Sequence, residues 1–156
     1  MTTRIKIGGK VPTFALPATG GESWRLEDAA GKKLVLYFYP KDMTSGCTRE
    51  SQDFRDLCAA FRKAGTQIVG VSRDSVASHE KFMEKERLPF ILLSDTGEQL
   101  CKLFDVIKEK SLYGKKYLGI ERSTFLLDGK GVLRHEWRKV KVPGHAEEVL
   151  EAAQSL

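Results

Sequence analysis

Three short apolar runs, 34–39, 68–71 and 90–93, constrain the fold of this 156-residue chain more than any other feature. Each is continuous rather than alternating, the pattern of strands covered on both faces, as in a largely parallel sheet. Segments with helical spacing separate them. Phe54, Leu57, Cys58 and Phe61 fall at i, i+3, i+4 and i+7, which predicts one buried stripe on a helix of about 15 residues from Thr48 onward, ended by Gly65. A weaker helix is predicted over 75–87, stopped by Pro89, and a third opens at Asp95 with Glu98 three residues later, a capping-box spacing ahead of Leu100, Leu103 and Phe104.

The last third of the chain changes pattern. A strand over 123–127 runs through the turn Asp128-Gly129-Lys130-Gly131 into a second strand over 132–137, a hairpin signal that makes the sheet mixed. After Pro143-Gly144, a short helix over 146–153 offers Val149 and Leu150 for docking. Parallel βαβ units followed by a hairpin and a helix predict an α/β thioredoxin-like fold, a central mixed sheet flanked by helices. No repeat or linker divides residues 1–156, so one domain is expected. A chain of this length buries roughly 68–70% of its unfolded surface without staples.

Composition removes several functions. The longest apolar run has six residues, far short of the about 20 that a membrane helix needs, so no membrane association is expected. The stretch from Met1 to Gly9 lacks an apolar h-region and a small-residue cleavage site, so no secretory signal is expected and the cytoplasm is the expected compartment. The formal charge of +5 divides into +3, −1 and +3 over residues 1–50, 51–100 and 101–156. Its densest cluster, Lys108, Lys110, Lys115 and Lys116 around Gly114, reads as a solvated loop with one interleaved aromatic, Tyr113. Without a basic helix face or stacking motif, nucleic acid is not an expected partner. His79, His135 and His145 form no metal-ligand spacing, and Trp24 and Trp137 read as packing residues.

The chemistry lies with cysteine. Cys47, Cys58 and Cys101 stand 11 and 43 residues apart, so neither a C-x-x-C pair nor a zinc pattern is present. Cys47 follows a buried strand and opens an amphipathic helix, and in α/β sheets ligands bind at the carboxyl ends of strands. With Thr44 as N-cap, Cys47 occupies the third helical position, where unpaired N–H groups and the helix dipole favour an anion. Helix N-termini and nearby guanidinium groups favour the reactive thiolate.

This arrangement resembles the peroxiredoxins, whose Pro-x-x-x-Thr-x-x-Cys signature is matched by Pro40, Thr44 and Cys47. Residues 35–42, Gly46-Cys47-Thr48-Arg49-Glu50, residues 121–128 and the tail Val142-Pro143-Gly144-His145 extend the resemblance to the bacterioferritin-comigratory subfamily, and it runs from Val11 nearly to the end of the chain. The resemblance implies a thiol peroxidase without metal or organic cofactor, acting on hydrogen peroxide and organic hydroperoxides. Cys47 would attack the peroxide and become a sulfenic acid. Thr44 would hold the peroxide, Arg122 would stabilise the thiolate and the charge moving onto the oxygens, Pro40 would shield the thiolate, and Glu50 would pair with Arg122 and aim it. Each residue also has an ordinary reading. Thr44 could only cap the helix, Pro40 only stop the strand, Glu50 only complement the dipole and Arg122 only be a surface charge.

Many members of the subfamily carry a second cysteine five residues after the first, where this chain has Gln52, and others place it in the next helix, where residues 75–87 contain none. Cys58 is one candidate, but 11 residues of helix span about 16 Å, and a disulfide needs Cα atoms within about 7 Å. Cys58 therefore reads as a core residue on the Phe54/Leu57/Phe61 stripe, and Cys101, beside Leu100, Leu103 and Phe104, as another. The expected cycle uses one cysteine and an external thiol from thioredoxin, glutaredoxin or a small molecule, in a monomeric antioxidant enzyme. Two other classes stay open, a disulfide oxidoreductase and a redox-sensing or chaperone-like module that uses Cys47 oxidation stoichiometrically.

Overall fold

The computed structural model describes residues 5–156, so the first four residues of the stretch expected to lack a secretory signal lie outside the described residues. Its frame is a five-stranded sheet in the order β5-β4-β3-β8-β9. β3 (Lys33–Phe38), β4 (Thr66–Ser72) and β5 (Leu92–Ser94) run parallel, β8 (Ser123–Leu127) lies antiparallel to β3, and β9 (Leu133–Trp137) closes the hairpin with β8. The sheet is mixed, with helices on its faces, as the sequence predicts.

Successive residues of β3 point to opposite sides and sort into two cores. Leu34, Leu36 and Phe38 pack with Val69, Val71, Phe125 and Leu127 on one side, beneath α4 (Gln99–Leu103) and the small hairpin β1 (Ala15–Pro17)–β2 (Ser23–Arg25). Val35, Tyr37 and Tyr39 pack on the other with Ile68, Leu92 and Leu126, beneath α1 (Ser45–Asp56), α2 (Cys58–Lys63), α3 (Val76–Glu86) and α5 (His145–Gln154). Gly70 makes this second core possible, because a Cβ there would lie 2.7 Å from Leu92 and 2.9 Å from the Tyr37 ring. Tyr37 uses that space to stack on Phe54 at 4.7 Å and to reach the Ser51 hydroxyl at 2.9 Å, which ties α1 to the sheet.

Several boundaries differ from expectation for local reasons. The helix placed from Thr48 begins at Ser45, because Thr44 has extended backbone and ends the loop. It also breaks at Leu57 (φ −99°, ψ 2°) into α1 and α2, although Phe54, Cys58 and Phe61 still form one buried stripe. The capping box at Asp95 is not formed. Glu98 is left-handed at the N-cap of α4, and the Asp95 carboxylate instead accepts from the Cys101 N–H at 2.7 Å.

The lysine-rich stretch read as a solvated loop is a β-hairpin, β6 (Ile107–Leu112) paired over six residues with β7 (Lys115–Ile120). Tyr113 and Gly114 both have positive φ, the requirement of a tight turn whose twist matches the strands. Trp24 and Trp137 do pack. Trp24 lies against Phe14, and the Trp137 ring meets His145 edge-on.

Candidate active site

The segment from Tyr39 to Thr44 connects β3 to α1, and its course is set by one buried carboxylate. Asp42 accepts from the Tyr39 hydroxyl at 2.6 Å and the Ser78 hydroxyl at 2.8 Å, and meets His79 Nδ1 at 2.7 Å. Its own N–H donates to Asp74 at 2.9 Å. The Leu93 carbonyl can only accept, so His79 Nε2, 2.9 Å away, is a donor. The result is a buried His79–Asp42 contact that clamps the loop to α3 and β5.

Neither partner stood out in the sequence, where His79 was one of three isolated histidines. The available signal is a buried strand leading into an Asp three residues short of the helix. His79→Ala leaves the buried Asp42 carboxyl without this partner and is expected to destabilise the fold by about 1–3 kcal/mol in urea unfolding. A loss below about 1 kcal/mol, the level of an exposed pair, would show that the pair is not the clamp.

Thr44 caps α1 with its backbone and not with its side chain. Its hydroxyl donates to the Lys41 carbonyl at 2.8 Å, so it does not occupy the capping role open to it in the sequence. Cys47 is the third helical residue and only 1% exposed. The first α1 turn closes with Thr48 N–H on the Thr44 carbonyl, leaving the N–H groups of Ser45, Gly46 and Cys47 without an intrahelical acceptor.

Arg122 arrives from the connection between β7 and β8 and places Nη2 3.3 Å from Cys47 Sγ, while Nη1 donates to Glu50 Oε1 at 2.6 Å. Gly46 makes room for it, since a Cβ there would stand 3.1 Å from Nη2. Thiol, guanidinium and carboxylate therefore form one chain, and Arg122 is not a surface charge. Pro40 is half-buried in the loop entering α1.

Burial pushes the Glu50 carboxyl up to about 7, even against the Arg122 charge, and Oε2 has no hydrogen-bond partner among the described residues. Burial alone would lower Arg122, but Glu50 and Cys47 outweigh it and hold the guanidinium above its ordinary value. The folded protein therefore binds the Glu50 proton more tightly than the unfolded chain, so this group's contribution to stability is full below about 4.5 and is lost as pH rises through about 7. Glu50→Gln is expected to remove that slope between these pH values in urea unfolding. An unchanged slope would mean that Glu50 titrates as an ordinary exposed carboxylate.

The other two thiols sit in different surroundings. All three cysteines are free. Cys101 is fully buried, and desolvation and then the Asp95 charge push its thiol far above the ordinary range. Cys58 is 6% exposed, and burial raises it too. Among the three, Cys47 alone has a guanidinium nitrogen within hydrogen-bond distance of its sulfur, Arg122 Nη2 at 3.3 Å.

Residues 7–136 match the AhpC/TSA family. The chain belongs to the peroxiredoxins. Peroxiredoxin Bcp of Xanthomonas campestris is 56% identical over 145 residues, covering 92% of this chain and 91% of that protein. A structure concerned with the alkyl peroxide reduction activity of the X. campestris bacterioferritin comigratory protein superposes with TM-score 0.87 at 54% identity, covering 91% of this chain and 90% of that one. A cysteine-to-serine variant of Xylella fastidiosa PrxQ superposes with TM-score 0.93 at 43% identity, covering 98% of each chain. The fold of this peroxiredoxin is thioredoxin-like, of the Bcp/PrxQ kind, and its activity is that of a thiol-dependent peroxidase.

Proposed function

We propose that this peroxiredoxin reduces hydrogen peroxide and organic hydroperoxides through a one-cysteine cycle centred on Cys47. The Cys47 thiolate attacks the terminal peroxide oxygen, an S–O bond forms as the O–O bond breaks, and the departing alkoxide or hydroxide takes a proton to leave as alcohol or water. The observation that carries the reading is the 3.3 Å approach of Arg122 Nη2 to Cys47 Sγ, with Glu50 2.6 Å behind it. A guanidinium in that position stabilises both the thiolate and the negative charge passing onto the oxygens. Thr44, turning its hydroxyl from the Lys41 carbonyl, holds the peroxide. Pro40 covers the thiolate against water, and Glu50 aims Arg122.

An external thiol then attacks the sulfenic sulfur, releasing water and forming a mixed disulfide, and a second thiol returns Cys47 to its reduced form. Thioredoxin, glutaredoxin or a small thiol has the required chemistry. The surroundings of Cys58 and Cys101 support an external donor, since burial disfavours both thiolates. Free, buried cysteines suit a reducing compartment, so the proposed location is the cytoplasm, in antioxidant defence. The proposed state is a monomer, because the large exposed apolar side chains among the described residues are too few for an obligate dimer face.

Turnover tests the reading. With dithiothreitol or thioredoxin in excess, each Cys47 is expected to consume many equivalents of peroxide. Consumption that halts at one equivalent would favour the redox-sensing reading, and disulfide reduction without peroxide consumption would favour an oxidoreductase.

A further inference from the structure

The β6–β7 hairpin has no place in the peroxide chemistry, yet it grows out of the active site. Ile120 ends β7 two residues before Arg122, and strands of six residues extend about 20 Å from that base. Four of the six large exposed apolar side chains among the described residues lie on the hairpin: Leu112 at 57%, Tyr113 at 96%, Tyr117 at 47% and Leu118 at 63%. Tyr113 holds a left-handed backbone at the turn (φ 51°), a conformation rarely given to an aromatic residue.

Register sorts the hairpin into two faces. Lys110 pairs with Tyr117 and Leu112 with Lys115, so these four, together with Lys108, share one face. That face carries no carboxylate of the hairpin. Glu109 lies on the opposite face, where it pairs with Lys116 at 3.5 Å. Lys108 reaches back to Asp105 at 3.1 Å, whereas Lys110 and Lys115 have no ion pair among the described residues. Lys110 also senses the catalytic centre: burial, then the Arg122 charge, lowers its pKa, while Cys47 and Glu121 raise it.

We infer that this cationic and apolar hairpin face is the docking surface for the protein that reduces oxidised Cys47, a thiol protein whose reducing site is rimmed by carboxylates and apolar side chains. The inference rests on the proposed external-thiol cycle and names the donor's class. Charge selects the occupant. Two lysines without an ion pair among the described residues stand beside exposed Leu112 and Tyr117, a surface complementary to an acidic apolar rim, and such charges act chiefly on encounter. An acidic partner seated there has its thiols at the base of the hairpin, next to Arg122 and Cys47. Its thiolate attacks the sulfenic sulfur and water leaves, and its second thiolate attacks the mixed disulfide, releasing reduced Cys47 and the donor's disulfide.

The test is steady-state peroxide turnover supported by an acidic bacterial thioredoxin with its reductase and NADPH, compared with turnover supported by dithiothreitol. Two variants are used, Leu112→Ser/Tyr113→Ser and Lys115→Glu, both far from the sulfur. The expected result is a fall of about tenfold or more in kcat/KM for thioredoxin in each, with turnover on dithiothreitol changed by less than about twofold. Salt is expected to weaken wild-type turnover with thioredoxin and to affect Lys115→Glu less. Unchanged kcat/KM for thioredoxin in both variants would overturn the proposal, as would a wild-type enzyme that thioredoxin does not reduce. Sedimentation showing a wild-type dimer that the variants dissociate would assign the surface to a second copy instead. Non-reducing mass mapping separates the two readings. A Cys47 disulfide to Cys58 or Cys101 would end the one-cysteine cycle, while the tenfold loss would still support the docking surface, because thioredoxin then reduces that disulfide.

Discussion

Cys47→Ser is expected to lower peroxide turnover by at least about four orders of magnitude, whereas Cys58→Ser and Cys101→Ser should each keep activity within about twofold of wild type. The three thiols differ in surroundings rather than in residue type. Cys47 stands at the third position of α1, 3.3 Å from a guanidinium. Cys101 is sealed beneath the sheet, where an added hydroxyl costs about 1–3 kcal/mol of stability but leaves the chemistry intact. Peroxide consumption with dithiothreitol reads activity, and urea unfolding reads stability. Retained turnover in Cys47→Ser would move the chemistry to another thiol. Loss of turnover in a Cys101→Ser protein that remains folded would make Cys101 a participant.

The second large effect belongs to Arg122. Arg122→Ala removes the charge nearest the reacting oxygens and is expected to slow oxidation of Cys47 about 10²–10³-fold, the scale of losing one transition-state donor. The pH midpoint of Cys47 alkylation should move upward. This substitution also strands Glu50, which is 1% exposed, so part of any loss could come from an unpaired buried carboxylate. The double variant Arg122→Ala/Glu50→Gln separates these effects. Its stability should recover while its oxidation rate stays low. Recovery of both would make Arg122 a counter-charge for Glu50, and an unchanged alkylation profile in Arg122→Ala would remove it from thiolate stabilisation.

The central strands and the position of Cys47 were legible because each rests on a strong local signal. Continuous apolar runs between helical stretches are the pattern of strands buried on both faces, and Thr44 three residues before Cys47 sets the cysteine's place on the helix. The contact between Glu50 and Arg122 was legible through the family resemblance, since 72 residues separate the two in sequence. The β6–β7 hairpin was missed because its strands are solvated. Lys, Glu and Ser between few apolar residues give no period-two apolar signal, and pairing rests on the Tyr113-Gly114 turn and cross-strand neighbours. The Asp42–His79 clamp was missed for another reason. Its partners lie 37 residues apart, and an isolated histidine on a helix carries no sign of what it will face.

Identifying the sulfur that peroxide oxidises first is the most direct test. One equivalent of hydrogen peroxide is added to the reduced protein with a sulfenic-acid trap present, and early samples are mapped by mass spectrometry without reduction. The account predicts trapped adduct on Cys47 with Cys58 and Cys101 unmodified and no disulfide formed. Equally slow oxidation of all three cysteines would contradict it.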